Sequence, residues 1–262
     1  MTIQAGRDTC TGRPAPLVAP AGLSAPVSLT EDFHVHSLFS DGTSTVAENV
    51  RVAIQRGLTR ICIVDHVRRE TDWVPRFAWA VQAVREVPGI EILAGVEAKI
   101  LDRTGRLDLP ADLAGIDLVL IADHQFPADL GPVDPWEMRA AIRNGDISPR
   151  DAINCLTEAT INALGLVGRP VLAHLFGVLP KIGLAETDVP DLALRKLADA
   201  ASETGALVEV NEKWACPSPR TLRAFASAGV PLVASSDSHD CRDIGLYESV
   251  TRTVGAVYAG PA

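Results

Sequence analysis

Short apolar runs alternate with amphipathic stretches from residue 31 to about residue 235 of the chain. Such an alternation predicts repeated βα units, and near-continuous Val, Ile and Leu runs are typical of strands covered on both faces. The predicted strands are residues 31–35, 60–64, 91–96, 117–122, 170–174, 206–210 and 231–235. The predicted helices are residues 45–56, 74–86, 148–164, 191–204 and 219–228. Residues 125–147, which are rich in Pro and Gly, predict a long rim loop or lid.

The histidines share one kind of position in this pattern. All six histidines stand where a predicted strand ends: His34, His36, His66, His124, His174 and His239. The carboxyl ends of the strands of an α/β barrel converge on one rim, so this placement predicts that the imidazoles meet there. An open doubly wound sheet is the competing arrangement, but it gathers its site at one switch point and rarely recruits residues from nearly every strand. We therefore expect an α/β barrel of seven strands.

Three acidic residues share these strand ends. Asp41 lies in a Ser-Asp-Gly turn after His36, Glu97 ends the third predicted strand, and Asp237 precedes His239. Together with the six imidazoles they give nine candidate ligands, a set that suits Zn²⁺, Mn²⁺ and Fe²⁺ and does not suit Ca²⁺. The lack of thiolates in the set favours a catalytic centre over a structural zinc site. A packing role is the alternative for any single histidine, but it does not explain the shared position of all six.

In these motifs the chain resembles the PHP (polymerase and histidinol phosphatase) family. The matching segments are Asp32-Phe33-His34-Val35-His36-Ser37, Ser40-Asp41-Gly42, Val64-Asp65-His66, Gly95-Val96-Glu97, His124, Ala173-His174, Ser236-Asp237-Ser238-His239 and Asp243-Ile244-Gly245. The resemblance implies a distorted (β/α)7 TIM-like barrel with three divalent metal ions, Zn, Mn or Fe, at the C-terminal rim of the strands. It assigns the ligands as follows: one ion to His34, His36, Glu97 and Asp237, a second to Asp41, His66 and His239, and a third to His124 and His174 with Glu97 as a bridge.

The resemblance also implies a reaction. The family includes histidinol phosphate phosphatases, small-molecule phosphoesterases and editing domains of bacterial DNA polymerases. Three divalent ions and three carboxylates leave a local charge of about +3 in a protein of net charge −9, so the centre attracts phosphate. We expect hydrolysis of a small-molecule phosphomonoester by a metal-activated hydroxide. Asp65 or His239 is predicted to protonate the leaving oxygen.

Four further residues are predicted to contact the substrate. Arg68 and Arg69 follow His66, and Arg242 follows His239, and guanidinium groups match phosphate oxygens well. The alternative for each arginine is a solvated surface position. Asn211 ends the sixth strand, where the resembled family carries a pocket-lining Asn or Glu. Three other functions stay open: a phosphodiesterase or 3′-5′ exonuclease acting on nucleotides, a metal-dependent amide or ester hydrolase, and a non-catalytic scaffold.

The composition of the chain favours a globular protein and disfavours a nucleic-acid-binding or membrane-spanning one. The chain has 262 residues, of which 47% are hydrophobic and 22% charged, so it can bury a core. Its net charge of −9 disfavours nucleic acid as a partner, since such proteins are usually basic. Five cysteines without a paired spacing predict reduced thiols and a cytoplasmic location. Residues 1–28 are predicted to be a flexible arm before a single barrel domain at 29–262, and no apolar run is long enough to span a membrane.

Overall fold

The computed structural model of the protein describes residues 26–259. Nine strands are present in this part of the chain: β1 (Glu31–Val35), β2 (Arg60–His66), β3 (Glu91–Lys99), β4 (Leu118–Ala122), β5 (Phe126–Ala128), β6 (Gly131–Val133), β7 (Pro170–Leu172), β8 (Leu207–Asn211) and β9 (Leu232–Ser235). Seven of them form one sheet in the order β1-β2-β3-β4-β7-β8-β9, and every neighbouring pair is parallel. These seven are the predicted strands, with bounds that are identical for β1 and differ by one to three residues for the others.

The sheet curves until its two edge strands meet. Val35, at the end of β1, forms a parallel bridge with Ser238, which follows β9. The His36 N–H donates to the Ser238 carbonyl at 2.8 Å, and the Ser238 N–H donates to the His34 carbonyl at 3.2 Å. The result is a nearly closed barrel with a seam between β9 and β1. The predicted seven-stranded α/β barrel is confirmed, and the open doubly wound sheet is wrong.

Helices cover the outside of the sheet. Their bounds are α1 (Val46–Gln55), α2 (Val74–Gln82), α3 (Pro135–Asn144), α4 (Pro149–Leu164), α5 (Leu179–Ile182), α6 (Asp191–Glu203), α7 (Pro219–Ser227) and α8 (Ser249–Tyr258), with short 3-10 turns at Glu186–Asp188 and Cys241–Asp243. The five predicted helices are confirmed, although α2 ends four residues before the predicted residue 86. Thr45 explains one start: it accepts the Glu48 N–H at 3.2 Å, and Glu48 returns a carboxylate oxygen to the Thr45 N–H at 2.9 Å.

The segment 125–147 is not a structureless lid. It contains the antiparallel hairpin of β5 and β6 and the whole of α3. Asp134 caps α3 by accepting the Trp136 N–H at 2.8 Å, and Pro135 occupies the first turn, where a missing N–H costs nothing. Phe126 is fully buried in the main core cluster, so the hairpin is anchored to the barrel wall. The Pro and Gly content therefore reflects turns and caps.

The packing of the barrel interior determines where along the barrel axis the functional side chains lie. A buried apolar cluster fills this interior, with members from five strands or strand ends: Phe33, Cys62, Val64, Leu118, Leu120, Ala122, Val171, Ala173 and Val233. Strand side chains alternate between faces, so the residue two places after an interior one also points inward. By this rule the side chains of His66 and His124 point inward, above those of Val64 and Ala122. Polar donors therefore cap a closed apolar interior.

Two predictions concern residues that lie partly outside the described part of the chain. The predicted arm at residues 1–28 lies, up to residue 25, outside the described residues. The single-domain boundary at 29–262 stays a prediction. Within residues 26–259 no helix is both long and apolar enough to cross a membrane.

Candidate metal centre

All nine predicted ligands lie at the C-terminal rim of the barrel. They come from β1, β2, β3 and the segments that follow β1, β4, β7 and β9: His34, His36, Asp41, His66, Glu97, His124, His174, Asp237 and His239. Ion-pair distances of 4.0 Å or less connect them into one network. The structure thus brings together every imidazole of the chain with the three predicted carboxylates.

Glu97 is the central carboxylate of this network. It is 1% exposed, and its two oxygens face five imidazole rings. Oε1 lies 2.9 Å from His174 Nε2 and 3.0 Å from His124 Nε2. Oε2 lies 2.8 Å from His66 Nδ1, and the other two approaches to Oε2 are 3.4 Å to His34 Nε2 and 3.7 Å to His36 Nε2. A single carboxylate so placed can bridge neighbouring ions.

Asp41 organises a second, more open group. Its Oδ2 lies 3.3 Å from His239 Nε2 and 3.5 Å from His66 Nε2, and its Oδ1 lies 3.7 Å from His36 Nδ1. The Asp41 side chain is 54% exposed, so this end of the centre is open to solvent. Gly42 shapes the turn, because a Cβ there would lie 2.6 Å from the backbone carbon of His36.

Three donor groups are compact enough to hold an ion. In each, one ligand atom per residue lies within 4.8 Å of all the others: His36, Asp41, His66 and His239; His34, His36 and Glu97; and His66, Glu97 and His124. This division differs from the predicted one in two respects. His36 also joins the Asp41 group, and His66 also joins Glu97 with His124. The remaining donors stand beside these groups, with Asp237 Oδ1 3.5 Å from His36 Nε2.

Unpartnered buried atoms show that these residues fit a cation. His34 Nε2 and both ring nitrogens of His36 are buried and lack a hydrogen-bond partner. Glu97 Oε2 also lacks a hydrogen bond, although His66 Nδ1 is close to it. Buried polar atoms left in this state cost about 1–3 kcal/mol each. Nitrogen and oxygen lone pairs that converge without donors are what a divalent metal coordinates.

The electrostatics of the donors agree with this interpretation. Burial lowers the pKa of His36 to about 4, so its ring is neutral at pH 7, which is the form that binds a metal. Burial alone would raise the pKa of Glu97, but the imidazoles of His124 and His34 hold it well below the ordinary range. Burial likewise opposes the fall in the pKa of Asp237, which results mainly from His34 and His36. The carboxylates therefore keep their charge in a buried site.

Two buried acids outside the predicted set orient the ligand rings. Glu209 is fully buried, and its Oε1 lies 2.7 Å from His34 Nδ1. Asp123 Oδ1 lies 3.6 Å from His174 Nδ1. Burial alone would lower the pKa of His174, but the neighbouring carboxylates of Asp123 and Glu97 raise it to about 10. Carboxylates that hold the far nitrogen of a ligand imidazole fix its tautomer and orientation.

A signal for Glu209 was present in the sequence. Glu209 is a charged residue inside an otherwise apolar strand, and it stands two positions before Asn211, so both side chains share one face. Asp123 directly precedes His124 at the end of β4. In both cases the acid stands within two positions of a residue that is itself predicted to be functional.

Two predicted substrate contacts, Asn211 and Arg242, have partners within the chain, and their contact with substrate stays a prediction. Asn211 is 1% exposed, and its amide is used internally: Nδ2 donates to Glu209 Oε2 at 3.2 Å, and Oδ1 accepts the Trp214 N–H at 2.9 Å. The Arg242 side chain is 83% exposed, and its guanidinium donates to both carboxylate oxygens of Asp240 at 2.9 and 2.7 Å. Asn211 therefore shapes a loop, and Arg242 forms a local ion pair.

Asp65 supports the Asp41 turn. Its Oδ1 accepts the backbone N–H groups of Ser37 at 3.0 Å and Ser40 at 3.1 Å, and the two serine hydroxyls donate to its oxygens at 2.5 Å each. Burial raises the pKa of Asp65 to about 6, and these hydrogen bonds oppose the rise. These contacts and the burial of Asp65 favour a positioning role, and its predicted role as proton donor to a leaving group stays a prediction.

A cavity of about 700 Å³ opens beside the donors. Its lining includes four of them, together with Phe39, Ser40, Val67, Arg68, Thr71, Trp73, Lys99 and Gln125. Of the two predicted arginines after His66, Arg68 thus faces the cavity. Arg69 is held by its backbone, whose N–H donates to Asp108 Oδ1 at 2.9 Å. Lys99, which sequence reasoning missed, adds a second cation to the lining.

Comparison with known proteins agrees with this description. The PHP domain family model matches residues 32–213. The chain belongs to the PHP domain family. It is 27% identical over 237 residues to a protein of Caldanaerobacter subterraneus subsp. tengcongensis named as a probable phosphatase, covering 86% of this chain and 82% of that protein. It is 26% identical over 244 residues to a protein of Vibrio vulnificus with the same designation, covering 88% of this chain and 86% of the relative.

Two solved structures share the fold. The histidinol phosphate phosphatase of Lactococcus lactis, crystallised with zinc, L-histidinol and phosphate, superposes with a TM-score of 0.62 at 18% identity, covering 87% of this chain and 92% of that one. A putative histidinol phosphatase of Listeria monocytogenes gives a TM-score of 0.57 at 16% identity, covering 82% and 97% respectively. Both likenesses support the barrel with its seam.

Proposed function

We propose that the protein hydrolyses a small-molecule phosphate monoester at the rim of its barrel, with three divalent ions held by the nine donors. The broader class rests on three agreeing findings: the family, relatives named as probable phosphatases, and donor groups suited to metal ions. The chain is a metal-dependent phosphoric ester hydrolase. The type of ester and the number of ions go beyond these findings and are our proposal.

One observation carries the proposal. Four of the donors and two cations, Arg68 and Lys99, line the same cavity of about 700 Å³. Cavities of roughly 300–1,000 Å³ hold small organic ligands. A net charge of −9 provides no basic track for a polynucleotide, so this cavity favours a small ester over a nucleic acid.

The donors have defined tasks in this proposal. We assign the ions to the three compact donor groups around Glu97 and Asp41, with Asp237 and His174 as further ligands. When bound, divalent ions supply a water with a pKa near ~7 and neutralise the charge that develops on the phosphoryl oxygens. Zinc, manganese and iron all suit this mixture of imidazole and carboxylate.

Other side chains of the chain act on the substrate or on the ligands. Lys213 Nζ lies 3.1 Å from His239 Nδ1 and 3.5 Å from Asp237 Oδ1, so it places a cation beside two of the donors. His239 stays proposed both as a ligand and as the proton donor to the leaving oxygen. Because one ring would serve both roles, the metal content of a His239→Asn variant separates them. An unchanged metal content with lost turnover would favour proton donation.

Phosphate release from a panel of esters tests the proposal. The panel contains histidinol phosphate, nucleoside monophosphates, phenyl phosphate and, as a diester, bis(4-nitrophenyl) phosphate. The protein is loaded with Mn²⁺ or Zn²⁺, and a chelated sample and a His36→Ala variant serve as blanks. We expect monoester turnover that both blanks abolish. Turnover of the diester alone, or full activity in metal-loaded His36→Ala protein, would refute the proposal.

A further inference from the structure

The lining of the cavity beside the donors contains two kinds of residue. Four lining residues are donors: Asp41, His66, Glu97 and His124. The rest of the lining contains Arg68 and Lys99 together with aromatic and neutral side chains. A phosphate group has only four oxygens around one phosphorus, so most of the roughly 700 Å³ remains for the organic part of a substrate. The lining residues that are not donors therefore determine which organic part binds.

Apart from the donors, the charged side chains of the lining are cations. Within residues 26–259 the Arg68 guanidinium forms no ion pair, and its backbone N–H donates to Thr71 Oγ1 at 2.8 Å. Lys99 Nζ donates to Gln125 Oε1 at 3.0 Å and lies 3.6 Å from Asp108 Oδ2, so one carboxylate outside the lining stands against two cations in it. The acidic residues in the cavity lining are Asp41 and Glu97, and both belong to the metal donors.

Two aromatic side chains line the same cavity as these cations. The Phe39 and Trp73 rings have centroids 5.5 Å apart, and each ring also packs on Phe77, at 5.4 and 5.8 Å. Phe77 is fully buried in the core cluster between β2 and the first two helices, so this aromatic pair is fixed to the core. A rigid aromatic surface favours a flat or apolar group beside it.

We propose that the organic part of the substrate carries a second anionic group, a carboxylate or a second phosphate, bound by Arg68 and Lys99, with its apolar portion against Phe39 and Trp73. This inference rests on the proposed phosphomonoesterase function and names its substrate class. An organic part with a protonated amine, such as that of L-histidinol, meets the like charges of Arg68 and Lys99 in this cavity. The chain is thereby expected to prefer a different ester from the one its structural neighbour takes.

Three aryl phosphates of equal shape and similar leaving groups test the charge preference. They are 4-(carboxymethyl)phenyl phosphate, 4-(carbamoylmethyl)phenyl phosphate and 4-(2-aminoethyl)phenyl phosphate, and 4-(phosphonomethyl)phenyl phosphate tests the doubly charged anion. Hydrogen bonds to a charged group are worth roughly 1.5–3 kcal/mol, which is about a tenfold effect or more. We expect kcat/KM for the carboxylate to exceed that for the amide about tenfold and that for the amine further. Equal values for the three would overturn the inference.

Variants assign the effect to the two cations. We expect Arg68→Gln and Lys99→Gln each to reduce the carboxylate-to-amide ratio of kcat/KM about fivefold to tenfold. Arg76→Gln, an exposed arginine on α2, is the matched control and should leave the ratio unchanged. If Arg68 instead binds the reacting phosphoryl group, all esters slow equally and the ratio stays constant, which would overturn the inference for Arg68.

A binding measurement keeps this inference separate from the proposed function. Titration calorimetry compares 4-(carboxymethyl)benzylphosphonate with its carbamoylmethyl counterpart on metal-loaded protein, and neither compound is hydrolysed. About tenfold tighter binding of the carboxylate supports the inference, and equal affinities overturn it. If no aryl phosphate is turned over while the carboxylate binds more tightly, the phosphomonoesterase function fails and the charge preference of the cavity stands.

Discussion

Glu209→Gln tests whether the metal centre depends on a carboxylate that is not itself a ligand. Oε1 of Glu209 lies 2.7 Å from His34 Nδ1, and Oε2 accepts the backbone N–H of His174 at 3.0 Å and the Asn211 amide at 3.2 Å. One carboxylate therefore fixes two ligands. Glutamine keeps one acceptor oxygen, and its amide nitrogen would face a donor wherever it is placed. The substitution removes at least one of the three hydrogen bonds.

The magnitude follows from what each bond does. With Nδ1–H held by Glu209, Nε2 of His34 is the atom left for a metal. Burial alone would lower the pKa of His34, but the charge of Glu209 is the largest influence that raises it well above the ordinary range. Loss of such an outer carboxylate costs about 10- to 100-fold in metal affinity or activity. At 1.36 kcal/mol per tenfold change this is about 1.4–2.7 kcal/mol.

The assay measures metal affinity directly. Titration calorimetry with Zn²⁺ on metal-free Glu209→Gln protein should give a dissociation constant for the tightest ion raised about 10- to 100-fold, and turnover at saturating metal should fall as well. Glu203→Gln, an exposed residue at the end of α6, is the matched control. Metal affinity and turnover within twofold of the unsubstituted protein would refute the claim that Glu209 orients the ligands.

Three further substitutions address the centre and its support. Glu97→Gln removes the charge that five imidazoles face, so we expect loss of more than one bound ion in elemental analysis and a fall in turnover of about 10³-fold or more. Gly42→Ala places a Cβ 2.6–2.7 Å from backbone atoms of His36 and Ser37, so we expect a loss of about 1–3 kcal/mol in the free energy of unfolding by urea denaturation. Burial raises the pKa of Asp65 to about 6, and Asp65→Asn removes this titrating group. In the unsubstituted protein the folded state binds more protons than the unfolded chain between about pH 4 and 6, so the stability that Asp65 contributes falls as the pH rises. The variant should therefore lose less stability than the unsubstituted protein between pH 4.5 and 7 in metal-free urea titrations.

Each of these predictions has an outcome that contradicts it. Full metal content in Glu97→Gln protein would remove Glu97 from the ligand set. An unchanged melting temperature in Gly42→Ala protein would mean that the Asp41 turn relaxes freely. Parallel stability–pH curves for Asp65→Asn and the unsubstituted protein would mean that Asp65 is ionised across this range.

The periodicity of the strands made much of the centre predictable. A donor two positions after an interior residue points to the same side, and parallel strands end at one rim, so His66, Glu97 and His124 converge without further information. The periodicity does not predict the partners of the side chains around these donors. Arg242 follows His239 as a phosphate contact would, yet Asp240, two residues before it, takes its guanidinium. Local pairing of this kind depends on a turn that the hydrophobic pattern does not encode.

The remaining donors depend on departures from regular strand geometry. In β1 the pairing advances three residues, from Asp32 to Val35, while β2 advances two, and this bulge lets both Phe33 and His34 point inward. His174 and Asp237 have positive φ values of 30° and 52°, which non-glycine residues rarely adopt. Such strain persists only where surrounding contacts fix it. Here Glu209 accepts the His174 N–H at 3.0 Å, and the Trp214 indole donates to Asp237 at 2.9 Å. The residues that aim these ligands are therefore as necessary to the centre as the ligands, and the sequence pattern identifies only the ligands.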